Sequence, residues 1–116
     1  MGIGGRVAAR IARGDIRLYT FAPPDKTRPV VVLTRDSAIA YLSTITIAAI
    51  TSSIRGVPSE VILTEDDGMK TPCAINLFNI NTVPAERLGK RIAQLGPERM
   101  NEVCAALSFS LGCNLR

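Results

Sequence analysis

A small, mostly antiparallel β-barrel with one helix packed on it is the fold this sequence predicts. Three observations predict it. Short β-branched apolar runs recur along the chain, clusters of Pro, Gly, Ser and Asp separate them, and the last apolar segment alone has helical spacing. At 116 residues the chain can close one hydrophobic core but not two, so a single domain is expected.

The leading "MGIGGRVAARIA" is Gly-rich and then Arg/Ala-rich, with no strong turn or cap signal. Residues 1–12 therefore read as a basic leader, and residues 13–116 as the folded domain. "IRLYTF" has strand-forming residues in rough alternation, and "APPDKT" ends it with two prolines and an aspartate. "VVVL" is apolar on both faces, which predicts a central strand covered on both sides, and "DSAIAYL" suits a short helical turn capped by Asp36 or Ser37.

"STITIAAI" is a third strand and "TSSIRGVPS" a polar loop. "EVILT" follows as a fourth strand with a turn at "EDDG". "CAINLFNI" is a fifth strand, within which Phe78 could stack on an unpaired base but reads as a core side chain, because a small protein needs its few aromatics inside. "TVPAERLGKRIAQL" reads as one helical turn begun at Pro84, then a short extended segment. "GPERMNEVCAALSFSLG" is the clearest helix: Pro97 suits its first turn, Met100, Val103, Cys104, Leu107 and Leu111 recur at three-four spacing, and Gly112 can end it.

Hydrophobic residues make up 47% of the chain and charged residues 21%, a globular balance. The formal charge is +4, with seven Arg/Lys against two Asp in residues 1–35, so the first part of the chain carries a positive surface suited to a polyanion. Three cysteines without metal-type spacing, and no signal peptide, fit a reducing cytoplasm. The longest apolar stretch, "AIAYLSTITIAAI", falls short of the roughly 20 residues of a spanning helix, so no membrane anchor is expected.

Without histidine or tryptophan, any catalysis must be built from Arg, Lys, Ser, Thr, Asp or Glu. The one tight carboxylate cluster, "EDD", reads as a solvated turn rather than a Mg²⁺ site. Arg28 stands directly before Pro29. The proline holds it extended at the mouth of a rigid strand, where its planar fork can meet a phosphate; a surface arginine beside a strand is the plainer reading. "ITSSIRG" sets three hydroxyls at a strand end before Arg55, suited to phosphate oxygens, and "NLFNINT" alternates Asn79 and Asn81, whose amides can read base edges.

Taken in order, "RGDIRLYTF", "RPVVVLTRD", "TITIAAITSS", "RGVPSEVIL" and "LGKRIAQLGPERMNEVCAALSFSLG" resemble the MazF/PemK family of toxin endoribonucleases, from about Arg13 to Gly112. The resemblance implies an SH3-like barrel and a cytoplasmic, prokaryotic homodimer. It also implies cleavage of single-stranded RNA without metal or other cofactor, leaving 2′,3′-cyclic phosphate and 5′-hydroxyl ends, and neutralisation by a MazE-like antitoxin. Its catalytic arginine falls on Arg28 and its catalytic threonine on Thr51.

Lys26, Arg35, Ser52, Ser53 and Arg55 lie in loops flanking that pair and are candidate RNA contacts, and Asn79 matches a family position that reaches RNA. Arg87, Lys90 and Arg91 could equally contact RNA or form the solvated face of the last segment, and the solvated face is the plainer reading. Two departures stand out. The "APPDKT" loop is shorter than in many relatives, which leaves mRNA or tRNA as the target, and Ala49 replaces a common proline. The rival classes are a CcdB-like gyrase-binding toxin on the same fold, a plain RNA-binding module and a degenerate toxin.

Overall fold

The computed structural model describes residues 11–24 and 26–113. Its strands are β1 (Asp15–Thr20), β2 (Thr27–Val32), β3 (Thr44–Thr51), β4 (Glu60–Leu63), β5 (Cys73–Pro84) and β6 (Arg91–Gln94). A short helix α1 (Asp36–Ile39) follows β2, and the long helix α2 (Pro97–Leu111) closes the chain. All six strands form one antiparallel sheet in the order β4-β5-β3-β2-β1-β6.

The sheet curls into a half-barrel. Leu63 at the end of β4 and Leu95 just past β6, at opposite edges of the sheet, enter the same core with Met100, Val103 and Ala106 of α2. The edges approach near Gly68, where an added Cβ would lie 3.0 Å from that of Ala93 in β6. No ladder joins β4 to β6, so packing and not hydrogen bonding brings the open side of the barrel together.

The expectation for "VVVL" holds for its three valines. Val30, Val31 and Val32 are each fully buried, Val31 on the α2 side and its two neighbours on the other, among Ile39, Ile45, Ile47 and Val83. Because strand side chains alternate, a run buried on both faces needs two separate apolar clusters, and the fold supplies them. Burying a valine contributes on the order of 1.5–3 kcal/mol, so this run anchors the strand whose mouth carries Arg28.

Other expectations are corrected. The "CAINLFNI" strand runs on to Pro84, and the helical turn occupies Ala85–Arg87. Neither Asp36 nor Ser37 caps α1: Arg35 holds the cap position without a side-chain bond, and the Asp36 carboxylate instead accepts from the Arg13 amide at 2.8 Å. The buried stripe of α2 is Met100, Val103 and Ala106, with Cys104 and Leu111 exposed. The small Ala106 side chain lets the helix lie close over β5 and β4, and a lone alanine carries little signal in a pattern of large apolar residues.

Phe78 is 66% exposed, not core. β5 pairs Ile80 with Ala48 but Asn76 with the very next residue, Ala49, so residues 77–79 form an excursion from the ladder. Leu77 turns inward and Phe78 is left on the outside. At the N-terminal end of the fold Ile11 is buried and the Ala12 amide donates to Asp15, so packed chain reaches into the segment read as a leader. The rest of that segment lies outside the described residues.

Candidate active site

Pro29 has no N–H to give to a ladder, and the recorded β2–β3 pairing ends beside it, at Val30 against Ala49. Continuing that register by two residues sets Arg28 level with Thr51, the last residue of β3. The two strands thus present these residues at a shared, unzipped mouth. A cleft of about 870 Å³ opens there, walled by Arg28, Thr51, Lys26, Ser52 and Ser53, with Met69, Thr71 and Cys73 also lining it.

The charge of this cleft is one-sided. Lys26, Arg28, Lys70 and Lys90 line it, and no carboxylate does among the described residues. Such a concentration of one sign in a concave, partly desolvated surface attracts a polyanion and focuses the field on it. Lys70 was not singled out from the sequence and Lys90 read as part of a solvated face, because each reaches the cleft through a loop whose path depends on distant contacts.

For Lys70 the contact is the "EDD" turn. Thr64 and Asp67 form a capping box around Glu65–Asp67, Gly68 turns the chain at φ +91°, and Arg99 of α2 holds both oxygens of Asp67 at 2.9 and 3.0 Å. The turn is therefore an anchored strut rather than a free surface loop. Arg99 holds the Asp67 carboxyl below the usual carboxylate range, the guanidinium bond outweighing the opposing effect of burial.

For Lys90 the contact is Gly89, whose amide donates to the Leu18 carbonyl at 2.7 Å, while the Leu18 amide donates back to the Lys90 carbonyl at 3.2 Å. β6 is then fastened by Asp15, which is fully buried and accepts from the Ala12 amide, Arg17 Nε and Gln94 Nε2 at 2.9–3.1 Å. A buried carboxylate with that many donors is satisfied, and it fixes β6 beside β1.

Within the cleft, Thr51 Oγ1 accepts from the Ser53 amide at 3.0 Å, which folds the chain back just after β3 and leaves the hydroxyl proton free to donate. Burial, reinforced by the charge of Asp67, pushes the Cys73 thiol up, so it stays protonated at neutral pH and offers no thiolate nucleophile. The chemistry such a lining allows is electrostatic: Arg28 brings a planar guanidinium to the cleft and Thr51 a hydroxyl donor, both groups suited to an anion.

The remaining candidates are not gathered there. Arg35 lies beyond the opposite end of β2, exposed at the start of α1. Arg55 lies in a second groove that shares Thr51 and Ser53 with the cleft; its amide and that of Gly56 donate to Glu60 Oε1 at 3.0 Å. Asn79 is exposed on β5, its Oδ1 accepting from Asn81 Nδ2 at 3.2 Å, and lines neither hollow.

A half-barrel with a cationic cleft at the end of its central strands, free of carboxylates among the described residues, has a surface suited to a polyanion. Residues 12–111 match the family described as PemK-like, MazF-like toxin of type II toxin-antitoxin system, and the chain belongs to that family. It is 37% identical over 102 residues to "Probable endoribonuclease MazF2" of Mycobacterium tuberculosis, covering 87% of this chain and 98% of the relative. It is 36% identical over 104 residues to "Probable endoribonuclease MazF5" of the same species, covering 89% and 94%.

Among solved structures, Mycobacterium tuberculosis toxin MazF-mt6 matches with a TM-score of 0.80 at 28% identity, over 87% of this chain and 99% of that one. A mycobacterial endoribonuclease in complex with its cognate antitoxin matches at 0.80 and 20% identity, over 91% and 99%, a likeness of fold.

Proposed function

We propose that Arg28 and Thr51 form the centre at which this MazF-like toxin endoribonuclease cuts single-stranded RNA. The observation that carries the reading is their meeting at one cationic cleft free of carboxylates among the described residues. The substrate's 2′-hydroxyl attacks the adjacent phosphorus, the bond to the 5′-oxygen breaks, and the products end in a 2′,3′-cyclic phosphate and a 5′-hydroxyl. Negative charge grows on the non-bridging oxygens as the new bond forms. The Arg28 fork and the Thr51 hydroxyl donate to those oxygens, and donors aimed at developing charge are commonly the largest single contribution to such catalysis.

Arginine resists deprotonation, and neither histidine nor a thiolate is at hand. Proton transfer in this reading therefore runs through water, one proton leaving the 2′-hydroxyl and one reaching the 5′-oxygen. Lys26, Lys70 and Lys90 hold flanking phosphates, and Ser52 and Ser53 supply further donors. No metal or other cofactor takes part in the step.

The same positive cleft suits an acidic segment of a MazE-like antitoxin, which blocks RNA by charge complementarity. An exposed apolar groove between Leu42, Ile80, Leu107 and Leu111 supports self-association as a homodimer. An RNA substrate and an antitoxin partner fit a prokaryotic cytoplasm. No helix among the described residues is long and apolar enough to cross a membrane. The CcdB-like, gyrase-binding alternative is not favoured by the family match.

The test is incubation of the purified protein with long single-stranded RNA and total tRNA in EDTA, mapping 5′ ends beside Arg28→Ala. Discrete 5′-hydroxyl ends that vanish in the variant support the assignment. Cuts that persist in it, or none from either protein, discard it.

A further inference from the structure

We infer that the groove beside the cleft is a nucleobase subsite, with Phe78 as its stacking platform and a residue next to the cut as the base it reads. The inference rests on the cleavage reading above and deepens it. The groove, about 570 Å³, is walled by Thr51, Ser53, Arg55, Asn76, Phe78 and Phe109, a size within the roughly 300–1,000 Å³ of small-ligand sites. It shares Thr51 and Ser53 with the cationic cleft, so a strand whose phosphate lies at Thr51 has its neighbouring nucleotide at the groove.

Phe78 is 66% exposed on a rigid base. The β5 excursion that carries it is pinned at both its first residues. The Leu77 amide donates to the Ser59 carbonyl at 3.0 Å, and the Phe78 amide to Asn76 Oδ1 at 3.0 Å. Leu77 itself is fully buried, so the ring is presented on an anchored backbone rather than on a floppy loop. An exposed aromatic held this way beside an arginine and hydroxyl donors has the make-up of single-strand RNA sites, in which unpaired bases stack on rings and on guanidinium planes.

Continuity with the cationic cleft favours RNA over a protein partner. Among the described residues Glu60 is the one carboxylate on the groove and Arg55 the one cation, and Glu60 Oε1 accepts from the Arg55 and Gly56 amides, so the groove itself is balanced in charge. The anionic character of the occupant comes from the cleft it extends into through Thr51 and Ser53, and its aromatic character from Phe78.

The chain has no tryptophan, so Phe78→Trp places one fluorophore at the platform. An all-deoxy oligonucleotide of the cleaved sequence, which lacks the attacking 2′-hydroxyl, is the probe. The expected results are quenching of that fluorophore on titration, and, in Phe78→Ala, a KM for RNA raised about 5- to 100-fold with kcat within about threefold and preference relaxed at one position flanking the cut.

Unquenched fluorescence on saturation with probe overturns the inference, as does a Phe78→Ala enzyme with unchanged KM and preference. In both cases the nuclease assignment stands, provided Arg28→Ala is inactive. A Phe78→Ala protein that loses antitoxin binding or self-association while its RNA kinetics are unchanged would mark a protein interface and also overturn it. An active Arg28→Ala overturns the cleavage reading and this subsite with it.

Discussion

The Arg99 guanidinium grips both oxygens of Asp67, Nε to Oδ1 at 2.9 Å and Nη2 to Oδ2 at 3.0 Å, tying the turn before Lys70 to the long helix. Asp67 also accepts from the Thr64 amide at 3.0 Å through Oδ2, so one side chain both caps the turn and docks it. Its folded pKa is depressed from the ordinary value of 3.8. The stability from that shift is fully present above pH 3.8 and is lost as pH falls from there through the folded value.

Asp67→Asn should remove this acid-limb dependence. It should also cost about 1–2 kcal/mol near neutrality, a charge-assisted pair discounted for the partial exposure of Arg99. Thermal melts of both proteins from pH 3 to 7 check it; coincident curves would show that the pair contributes nothing.

Arg28→Ala should lower the single-turnover cleavage rate by about 10²–10³-fold or more, the loss typical of one donor to a developing oxyanion. Arg28→Lys keeps the charge and forfeits the fork, so it should recover RNA affinity but little of the rate. Thr51→Ser retains the hydroxyl that accepts from Ser53 and should stay within about tenfold of the parent, while Thr51→Ala should not. Rates that track charge alone would remove the geometric role given to the guanidinium.

Much of the fold was legible because local patterns and tertiary demands agree. "VVVL" could be read as doubly covered since β-branching on consecutive positions has few other uses, and Gly112 ended α2 in the left-handed conformation its position suggested. Arg28 and Thr51 came from the family resemblance; the continued β2–β3 register sets them level, while their catalytic roles are the proposal made above. What failed was whatever depends on a particular contact. Phe78 left the core because the β5 excursion reset its alternation, and Lys70 reached the cleft because Arg99, far along the chain, pulls its turn inward. No window of neighbouring residues contains either fact.

Gly89→Ala should destabilise the fold, since a Cβ there would lie 2.8 Å from the Leu18 carbonyl oxygen, a backbone atom that cannot swing aside. Relief requires β6 to move off β1, stretching the 2.7 Å bond from the Gly89 amide. A cost of about 1–3 kcal/mol is expected, seen as a fall of several degrees in Tm. Gly96→Ala is the comparison: nothing lies within 4 Å of an added Cβ there, so its loss should stay at the roughly 1 kcal/mol or less of alanine at a helix N-cap. Equal losses in both would show that the close approach at Gly89 adds nothing.

The cationic lining makes a quantitative claim about salt. Each phosphate neutralised on a single strand contributes about −0.7 to the slope of log K against log [salt]. If Lys70 and Lys90 each meet a phosphate, Lys70→Ala should flatten the slope by about 0.7 and the double variant with Lys90→Ala by about 1.4. The measurement is binding of a non-cleavable deoxy oligonucleotide across a salt series, with Arg87→Ala as reference, since Arg87 is exposed and lines no part of the cleft. Affinity that drops with the slope unaltered would mean that the lysines shape the cleft without touching the backbone of the nucleic acid. A slope changed as much by Arg87→Ala would mean that the protein's overall charge, and not this cleft, gathers the RNA.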